Sequence, residues 1–354
     1  MDKFDKQRIN LRKNEKINID NLISYNHYVS PKDFVPEEVE NPKIIDNKIT
    51  KLLQNCDMRK GLLQCKSDKE YKWIEGQENY SSFETHFLAY SKSTRKNHID
   101  HRAWVDKKIN TLTCGEGCGG FSTANFISTQ QGYRYLTPTE AESLMLWKYN
   151  YTQYGIINSE KKELSDTQRY KLIGNGVIPT MSRAVYDDLI GNEYVKGLSL
   201  CTGVGGLEMN LPDTCEIIAH AEKDKLASSV LKYHYPNIEN LGDISSIREI
   251  KHDVLFAGFS CQSYSSQGSR KGRDDKKHGA LFDYLINILR INKPKYFIFE
   301  NVKGLLTHDK GITFNNMLEE LSELGYTVDY KLLNSCNFGT IQNRERVFIV
   351  GKML

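Results

Sequence analysis

The chain has 354 residues, 39% hydrophobic and 26% charged, with a formal net charge of +3. This length suits one large domain and a smaller one, and the composition is that of a soluble globular protein. No apolar stretch approaches the roughly 20 residues of a membrane span. The charged start Met1-Asp2-Lys3-Phe4-Asp5 has no apolar signal core, and in the cytoplasmic setting this implies, the eight cysteines are expected to be free thiols. So small a net charge neither demands nor rules out a nucleic-acid partner, because a local basic patch decides that.

Residues 1–130 are rich in Lys, Asn, Ser and Tyr with weak periodicity, and 1–80 are the least legible part. The cluster Lys92-Ser93-Thr94-Arg95-Lys96-Asn97-His98, with His101 and Arg102 behind it, reads either as a solvated loop or as a phosphate-contacting patch. Cys56, Cys65, Cys114 and Cys118 have spacings that fit zinc sites poorly, so no metal is expected. Thr137-Pro138-Thr139-Glu140 reads as a helix start, with Thr137 as N-cap and Glu140 completing a capping box. Lys148–Arg169 reads as a polar loop, followed by a turn at Gly174–Pro179 and a helix up to Leu189.

From Lys196 onward the pattern changes. Short β-rich runs at Lys196–Cys201, Glu216–Ala221, Val254–Phe259, Tyr296–Phe299, Thr327–Leu333 and Val347–Val350 alternate with helical stretches at Lys225–His234, Leu281–Ile291 and Asn315–Leu324. Gly325 is a C-cap candidate for the last helix. Such alternation predicts an α/β fold with a mostly parallel sheet.

Two of these strands end in chemistry. Val254–Phe259 runs into Ser260-Cys261-Gln262, and Tyr296–Phe299 runs into Glu300-Asn301. In a parallel sheet both ends share one rim, where such folds place their sites. Taken singly, Cys261 reads as a buried thiol, Glu300 as a solvated strand end, and Arg344 with Arg346 as a surface ion pair. A third strand leads into Cys201-Thr202-Gly203-Val204-Gly205-Gly206. This glycine-rich turn is either a tight connection or a place where backbone approaches a ligand. Glu222 follows after the next strand, placed to accept from ribose hydroxyls. Gly242-Asp243-Ile244 offers an acid and an apolar wall for an adenine. The turn lacks the G-x-G-x-x-G spacing of a dinucleotide site, so a nucleoside cofactor other than NAD is expected.

Together, Gly258-Phe259-Ser260-Cys261-Gln262-Ser263-Tyr264-Ser265, Glu300-Asn301-Val302 and Gln342-Asn343-Arg344-Glu345-Arg346-Val347 resemble the DNA (cytosine-5)-methyltransferases. The glycine turn, Glu222 and Gly242-Asp243-Ile244 resemble that family's S-adenosyl-L-methionine site. Arg134–Glu140 resembles the family's penultimate motif, Gly174–Pro179 its last, and Thr111-Leu112 the end of a target-recognition domain. The resemblance runs from about Trp104 to the C-terminus, but in an unusual order. Here the recognition segment and last two motifs precede the cofactor loop, as in a circular permutation, which surface termini tolerate.

The resemblance implies a Rossmann-like S-adenosylmethionine-dependent methyltransferase sheet with a smaller target-recognition domain. Residues 1–130 would form the recognition domain, 131–195 the bridge carrying the last two motifs, and 196–354 the catalytic and cofactor-binding domain. The catalytic set it implies is Cys261 as nucleophile, Glu300, Asn301, Arg344 and Arg346. The cofactor set is Cys201, Gly203, Val204, Gly205, Gly206, Glu222, Lys223, Asp243, Ile244, Ser260, Leu281, Asn175, Gly176 and Val177. For DNA it implies Ser265, Gln267, Arg270, Lys271 and Arg273 in the catalytic loop, with Arg95, Lys96, Arg102, Thr111, Leu112 and Arg134. The implied activity is methylation of a flipped cytosine in double-stranded DNA, in a restriction–modification or phage setting. The protein is expected to be a cytoplasmic monomer without membrane or direct endonuclease contact. The alternatives are an RNA cytosine-5 methyltransferase and a non-catalytic DNA-binding helper.

Four positions depart from the family pattern: Ser260 stands where Pro precedes the nucleophile, Cys201 replaces an aromatic residue that packs on the cofactor, Gly176 replaces Ser, and Ile341 replaces Pro. None removes an acid, a base or the nucleophile.

Overall fold

The computed structural model describes residues 62–67, 70–74, 87–95, 98–105, 109, 111–114, 123–129, 132–259 and 280–354. Its centre is a seven-stranded sheet built from β9 (Val195–Leu200), β10 (Cys215–Ala221), β11 (Glu239–Asn240), β12 (Val254–Gly258), β13 (Tyr296–Val302), β14 (Tyr326–Asn334) and β15 (Glu345–Met353). The strand order is β11-β10-β9-β12-β13-β15-β14. β15 alone runs against its neighbours, antiparallel to both β13 and β14.

The strands are apolar on both faces because both are covered, as parallel sheets require. Successive residues divide between two cores. Val254 and Phe256 face one core with helices Pro138–Leu144, Asp166–Asn175, Pro179–Leu189 and Lys225–His234. Leu255 and Ala257 face the other with helices Ala280–Asn292 and Ile312–Glu323. Leu281, Leu285, Ile288 and Leu289, spaced by three and four, make the buried stripe of Ala280–Asn292.

The connection from β9 leads toward β10 and one edge, whereas that from β12 leads toward β13 and the other. The strand order therefore reverses between β9 and β12, and a crevice opens at their carboxyl ends. Leu200 pairs with Ala257, and Gly258 with Glu300, so the three rim segments lie in register.

A separate antiparallel sheet, ordered β4-β3-β5-β6, comprises β3 (Phe87–Arg95), β4 (His98–Val105), β5 (Thr123–Thr129) and β6 (Gly132–Tyr135). β1 (Leu62–Ser67) and β2 (Glu70–Ile74) form an antiparallel pair. β6 carries the sheet to Tyr135, past the 130/131 boundary expected from composition.

The polar stretch 148–169 is not a loop. It holds the hairpin β7 (Tyr154–Ile157) and β8 (Glu160–Glu163), then the start of helix Asp166–Asn175. β8 is exposed at all four positions, so no apolar alternation marks it. Gly155 sits against Ser229, where an added Cβ would come within 2.3 Å of Oγ, and this brings the hairpin onto helix Lys225–His234. Helix Asp166–Asn175 is anchored by a buried ion pair: Arg169 Nη2 donates to Glu142 Oε2 at 3.1 Å. Thr137 caps Pro138–Leu144 with the full capping box.

The 109–112 segment is strapped to the far end of the chain. Ile109 N–H donates to Ile341 O at 3.0 Å, and Ile109 O accepts from Asn343 N–H at 2.9 Å. Thr340 Oγ1 donates to Leu144 O at 2.7 Å. No described helix is long and apolar enough to cross a membrane.

Candidate functional site

The crevice at the β9/β12 reversal is a cleft of about 470 Å³. Its floor is the turn after β9. Cys201 takes a left-handed φ of +51°, Gly203 +60° and Gly205 +88°. At Gly203 a side chain would meet nothing within 4 Å, so the strain alone selects glycine. At Gly206 the reason is contact: a Cβ would stand 3.0 Å from the backbone N and O of Val177. Tyr151 donates to Val204 O at 2.8 Å, and Ser182 to Leu207 O at 2.8 Å. The segment carrying Asn175, Gly176 and Val177 is thereby packed against the turn, and all three residues line the cleft.

Glu222 follows β10 and stands beside the turn. Its Oε2 accepts from Gly203 N–H at 2.8 Å and its Oε1 from Asp224 N–H at 2.7 Å. Each oxygen retains acceptor capacity for a ligand hydroxyl. Burial raises the carboxyl above the ordinary range while these N–H groups pull it down. Asp243 accepts from Ser245 N–H at 3.0 Å and pairs with Lys223 at 3.4 Å. The Ser245 amide, first, and then Lys223 hold it below the usual range. Ile244 is buried beside it and, with Leu281, adds apolar wall. This set suits a nucleoside: a carboxylate for vicinal hydroxyls, an acid for an exocyclic amine and an aliphatic face for a base.

The other end of the cleft is the rim of β12 and β13. Glu300 is 7% exposed. Its Oε1 accepts from Arg346 Nε at 2.9 Å. Its Oε2 lies 3.8 Å from where a Cβ would stand on Gly258, so glycine keeps the acid open there. Burial raises the Glu300 carboxyl, and the charges of Arg346 and Arg344 oppose that rise. Asn301 ties the two strand ends together, donating from Nδ2 to Phe259 O at 3.2 Å and accepting Val302 N–H at 2.9 Å.

Among the expected cofactor residues, Cys201, Gly203, Val204, Gly206, Glu222, Lys223, Asp243, Ile244, Leu281, Asn175, Gly176 and Val177 line one cleft with Glu300 and Arg346. Gly205 does not line it. Its position for a Cβ faces Tyr235, Leu231 and Tyr151. Desolvation pushes the Cys201 thiol up to about 12, so it presents a neutral SH. Ser260, Cys261, Ser265, Gln267, Arg270, Lys271, Arg273 and Lys96 lie outside the described residues, as do Cys56 and Cys118. Arg95 ends β3 opposite His98, and Arg102 lies in β4 opposite Ser91. Cys114 donates its thiol hydrogen to Asn175 Oδ1 at 3.0 Å.

Three of the expected site residues are engaged within the protein. Arg134 is buried and bound to both oxygens of Glu140 at 2.8 Å, so its charge is spent inside the protein instead of on DNA. Leu112 is fully buried, and its main chain bonds Gln342 Oε1 and Arg344. Arg344 lines the cleft, with its guanidinium engaged by main chain. Its guanidinium donates to Leu112 O, Gly174 O and Gly176 O at 2.9, 2.9 and 2.6 Å. It fastens the Leu112 and Gly174–Gly176 segments to its own at the cleft wall, and Arg346 is the arginine paired with Glu300. Thr111 is half-buried, with its hydroxyl on Asn343 O at 2.7 Å.

Sequence reasoning missed Lys171, Leu172, Asp224 and Val302, which also line the cleft. Asp224 carries a readable signal: an Asp before a helical run, here the N-cap accepting from Leu226 and Ala227 N–H. Lys171 pairs with it at 3.0 Å across the cleft edge, and only the fold brings the two together.

Residues 195–353 match the family model for C-5 cytosine-specific DNA methylase. The chain is 44% identical over 162 residues to the orphan methyltransferase M.Rho11sI of Bacillus phage rho11s, covering 44% of this chain and 32% of that protein. It is 41% identical over 162 residues to the Type II methyltransferase M.HaeII of Haemophilus aegyptius, covering 45% of this chain and 50% of that protein. The chain thus spans a third to a half of the length of these relatives. A solved Dnmt2 methyltransferase of S. pombe aligns over 45% of this chain and 51% of its own, with 20% identity and a TM-score of 0.37. Over residues 195–353 the chain is therefore similar to the C-5 cytosine-specific DNA methylases.

Proposed function

We propose that this protein methylates C5 of cytosine in double-stranded DNA, using S-adenosyl-L-methionine bound in the β9/β12 cleft. The observation that carries the reading is one continuous cleft joining the nucleoside-type set, Glu222, Asp243 and Ile244, to the Glu300–Arg346 pair. When bound, the donor supplies a methyl group activated on a sulfonium. The protein's task is to make cytosine C5 nucleophilic.

Cys261 stands two residues beyond Phe259, the last described residue of the β12 rim. Its thiolate adds to C6, forming a C–S bond and moving the C5=C6 electron pair into the ring. Glu300, held by Arg346, faces the pyrimidine edge. In its protonated form, which burial favours, the carboxyl donates a hydrogen bond to N3, offsetting the charge that develops there. Arg346 bonds O2. Asn301 holds the Glu300 and Phe259 ends of the two strands at a fixed spacing. C5 then takes the methyl, loses its proton to a base, and the C–S bond breaks to restore the thiolate and release 5-methylcytosine. A base reaches such a rim only outside the duplex stack, so the target is flipped. The segment before β9 supplies Gly176 and Val177 to the cleft, as in a permuted family member.

The test uses tritiated S-adenosyl-L-methionine with duplex DNA and with RNA of the same sequence. Incorporation into DNA by the wild type, its loss in Cys261→Ala and covalent trapping on 5-fluorocytosine DNA are expected. Transfer to RNA alone would move the protein to the RNA class, and undiminished transfer by Cys261→Ala would refute the mechanism.

A further inference from the structure

Glu222 is fixed at both ends. Its carboxylate is held by two main-chain N–H groups, but its backbone is held by a residue that does not line the cleft. Asn240, in the two-residue edge strand β11, pairs with His220 of β10. Its Oδ1 accepts from Glu222 N–H at 3.0 Å, and its Nδ2 donates to Glu222 O at 3.0 Å. One amide thus grips both polar groups of the Glu222 main chain. The same Oδ1 accepts from Gly242 N–H at 3.1 Å, and the same Nδ2 donates to Ser228 Oγ at 3.0 Å. Ser228 Oγ itself donates to Glu222 O at 2.8 Å.

The amide's orientation is fixed by its partners. Glu222 N–H and Gly242 N–H are donors only, so the atom between them is the oxygen. Gly242 takes φ +76° and starts the turn that delivers Asp243 and Ile244 to the cleft. One side chain therefore ties together the acid suited to ribose and the turn suited to adenine, which lie 20 residues or more apart in the chain.

We propose that Asn240 is a positioning residue for nucleoside recognition, setting the spacing between Glu222 and the Gly242–Ile244 turn without touching the ligand. The inference rests on the donor site proposed above. Its chemistry makes two variants informative. Asn240→Ala removes all four bonds. Asn240→Asp is isosteric and keeps an acceptor for both N–H groups, but it sets a second acceptor against Glu222 O and a negative charge close to the Glu222 carboxylate.

The experiment measures S-adenosylhomocysteine binding by calorimetry on the full chain, with equilibrium unfolding of each variant as a check. Wild type binds. Each variant is expected to stay folded and raise Kd about tenfold, the worth of one or two hydrogen bonds. In steady state KM for the methyl donor rises, while kcat and KM for DNA hold. A cycle with Glu222→Ala separates positioning from general weakening: in that background Asn240→Ala loses most of its effect. If Asn240→Ala destabilises the chain, Asn240→Asp carries the same comparison. Wild-type affinity in both variants overturns the inference while leaving the donor site standing. A wild type that does not bind S-adenosylhomocysteine overturns the donor site and the inference with it.

Discussion

Glu208 lies under the glycine turn with its side chain inside the protein. One carboxylate oxygen accepts from Ser199 Oγ, and the other has no hydrogen-bond partner among the described residues. Desolvation lifts its pKa from 4.5 to about 7, against the pull of the Ser199 hydroxyl. A carboxyl whose folded value is raised stabilises fully below its unfolded value, and that contribution is lost as pH rises through the folded one. This group's contribution is therefore complete below about pH 4.5 and gone above about pH 7. At about 1.4 kcal/mol per tenfold step, the whole span is about 3 kcal/mol. Glu208→Gln has no proton to lose. Relative to wild type it should gain about 1 kcal/mol at pH 5 and about 3 kcal/mol at pH 8. Any fixed cost of seating the Gln amide is the same at every pH, so the growth of the gap is the signature. Urea unfolding of both proteins at pH 5, 6, 7 and 8 measures it. Parallel pH curves would refute the reasoning, showing that Glu208 ionises as readily in the folded protein as in the unfolded chain.

Gly176→Ala would bring a Cβ to 2.1 Å from the ring of the buried Trp147. Overpacking of about 1–3 kcal/mol and weaker S-adenosylhomocysteine binding are expected, read by unfolding and calorimetry. Arg344→Met removes the donors of three main-chain carbonyls. A loss of at least about 3 kcal/mol should appear as a lower denaturation midpoint, and an unchanged midpoint would show that those carbonyls find other donors. Glu300 donates only while protonated, so the transfer rate should fall as pH rises past its raised value. Glu300→Gln, measured by single-turnover transfer, should be slower and lack that alkaline limb.

The sheet was legible because its strands are buried on both faces and read as apolar runs. β12 was expected at Val254–Phe259 and spans Val254–Gly258, while the helix expected at Lys225–His234 has those same bounds. The glycine turn, Glu222, Asp243 and the Glu300 rim were legible because each is polar punctuation after such a run. The hairpin at 154–163 was not, since β8, Glu160-Lys161-Lys162-Glu163, faces solvent throughout. Helix Asp166–Asn175 buries Arg169 against Glu142, and an ion pair leaves no apolar periodicity to find. Arg134 and Arg344 read as surface charges for the same reason. Partners that make a charge buriable are assigned by tertiary structure, and Leu112 O and Arg344 are 232 residues apart in sequence. Asn240 was invisible because its work is done by an amide on the backbone of Glu222, 18 residues away.

That separation has a consequence for how the molecule assembles. The contacts that seat Val204 and Leu207 reach Tyr151 and Ser182, only 53 and 25 residues upstream, and can form while the chain is still short. The fastening of Ile109–Leu112 to Gln342–Arg344 closes a loop of more than 200 residues. Its chain entropy must be met before any contact repays it, and pairings this remote form slowly. The main-chain bonds of Leu112 to Gln342 and Arg344 can form only after those residues are made. The order of synthesis thus supplies the glycine turn with its Tyr151 and Ser182 contacts before Arg344, which fastens the upstream segment, is made.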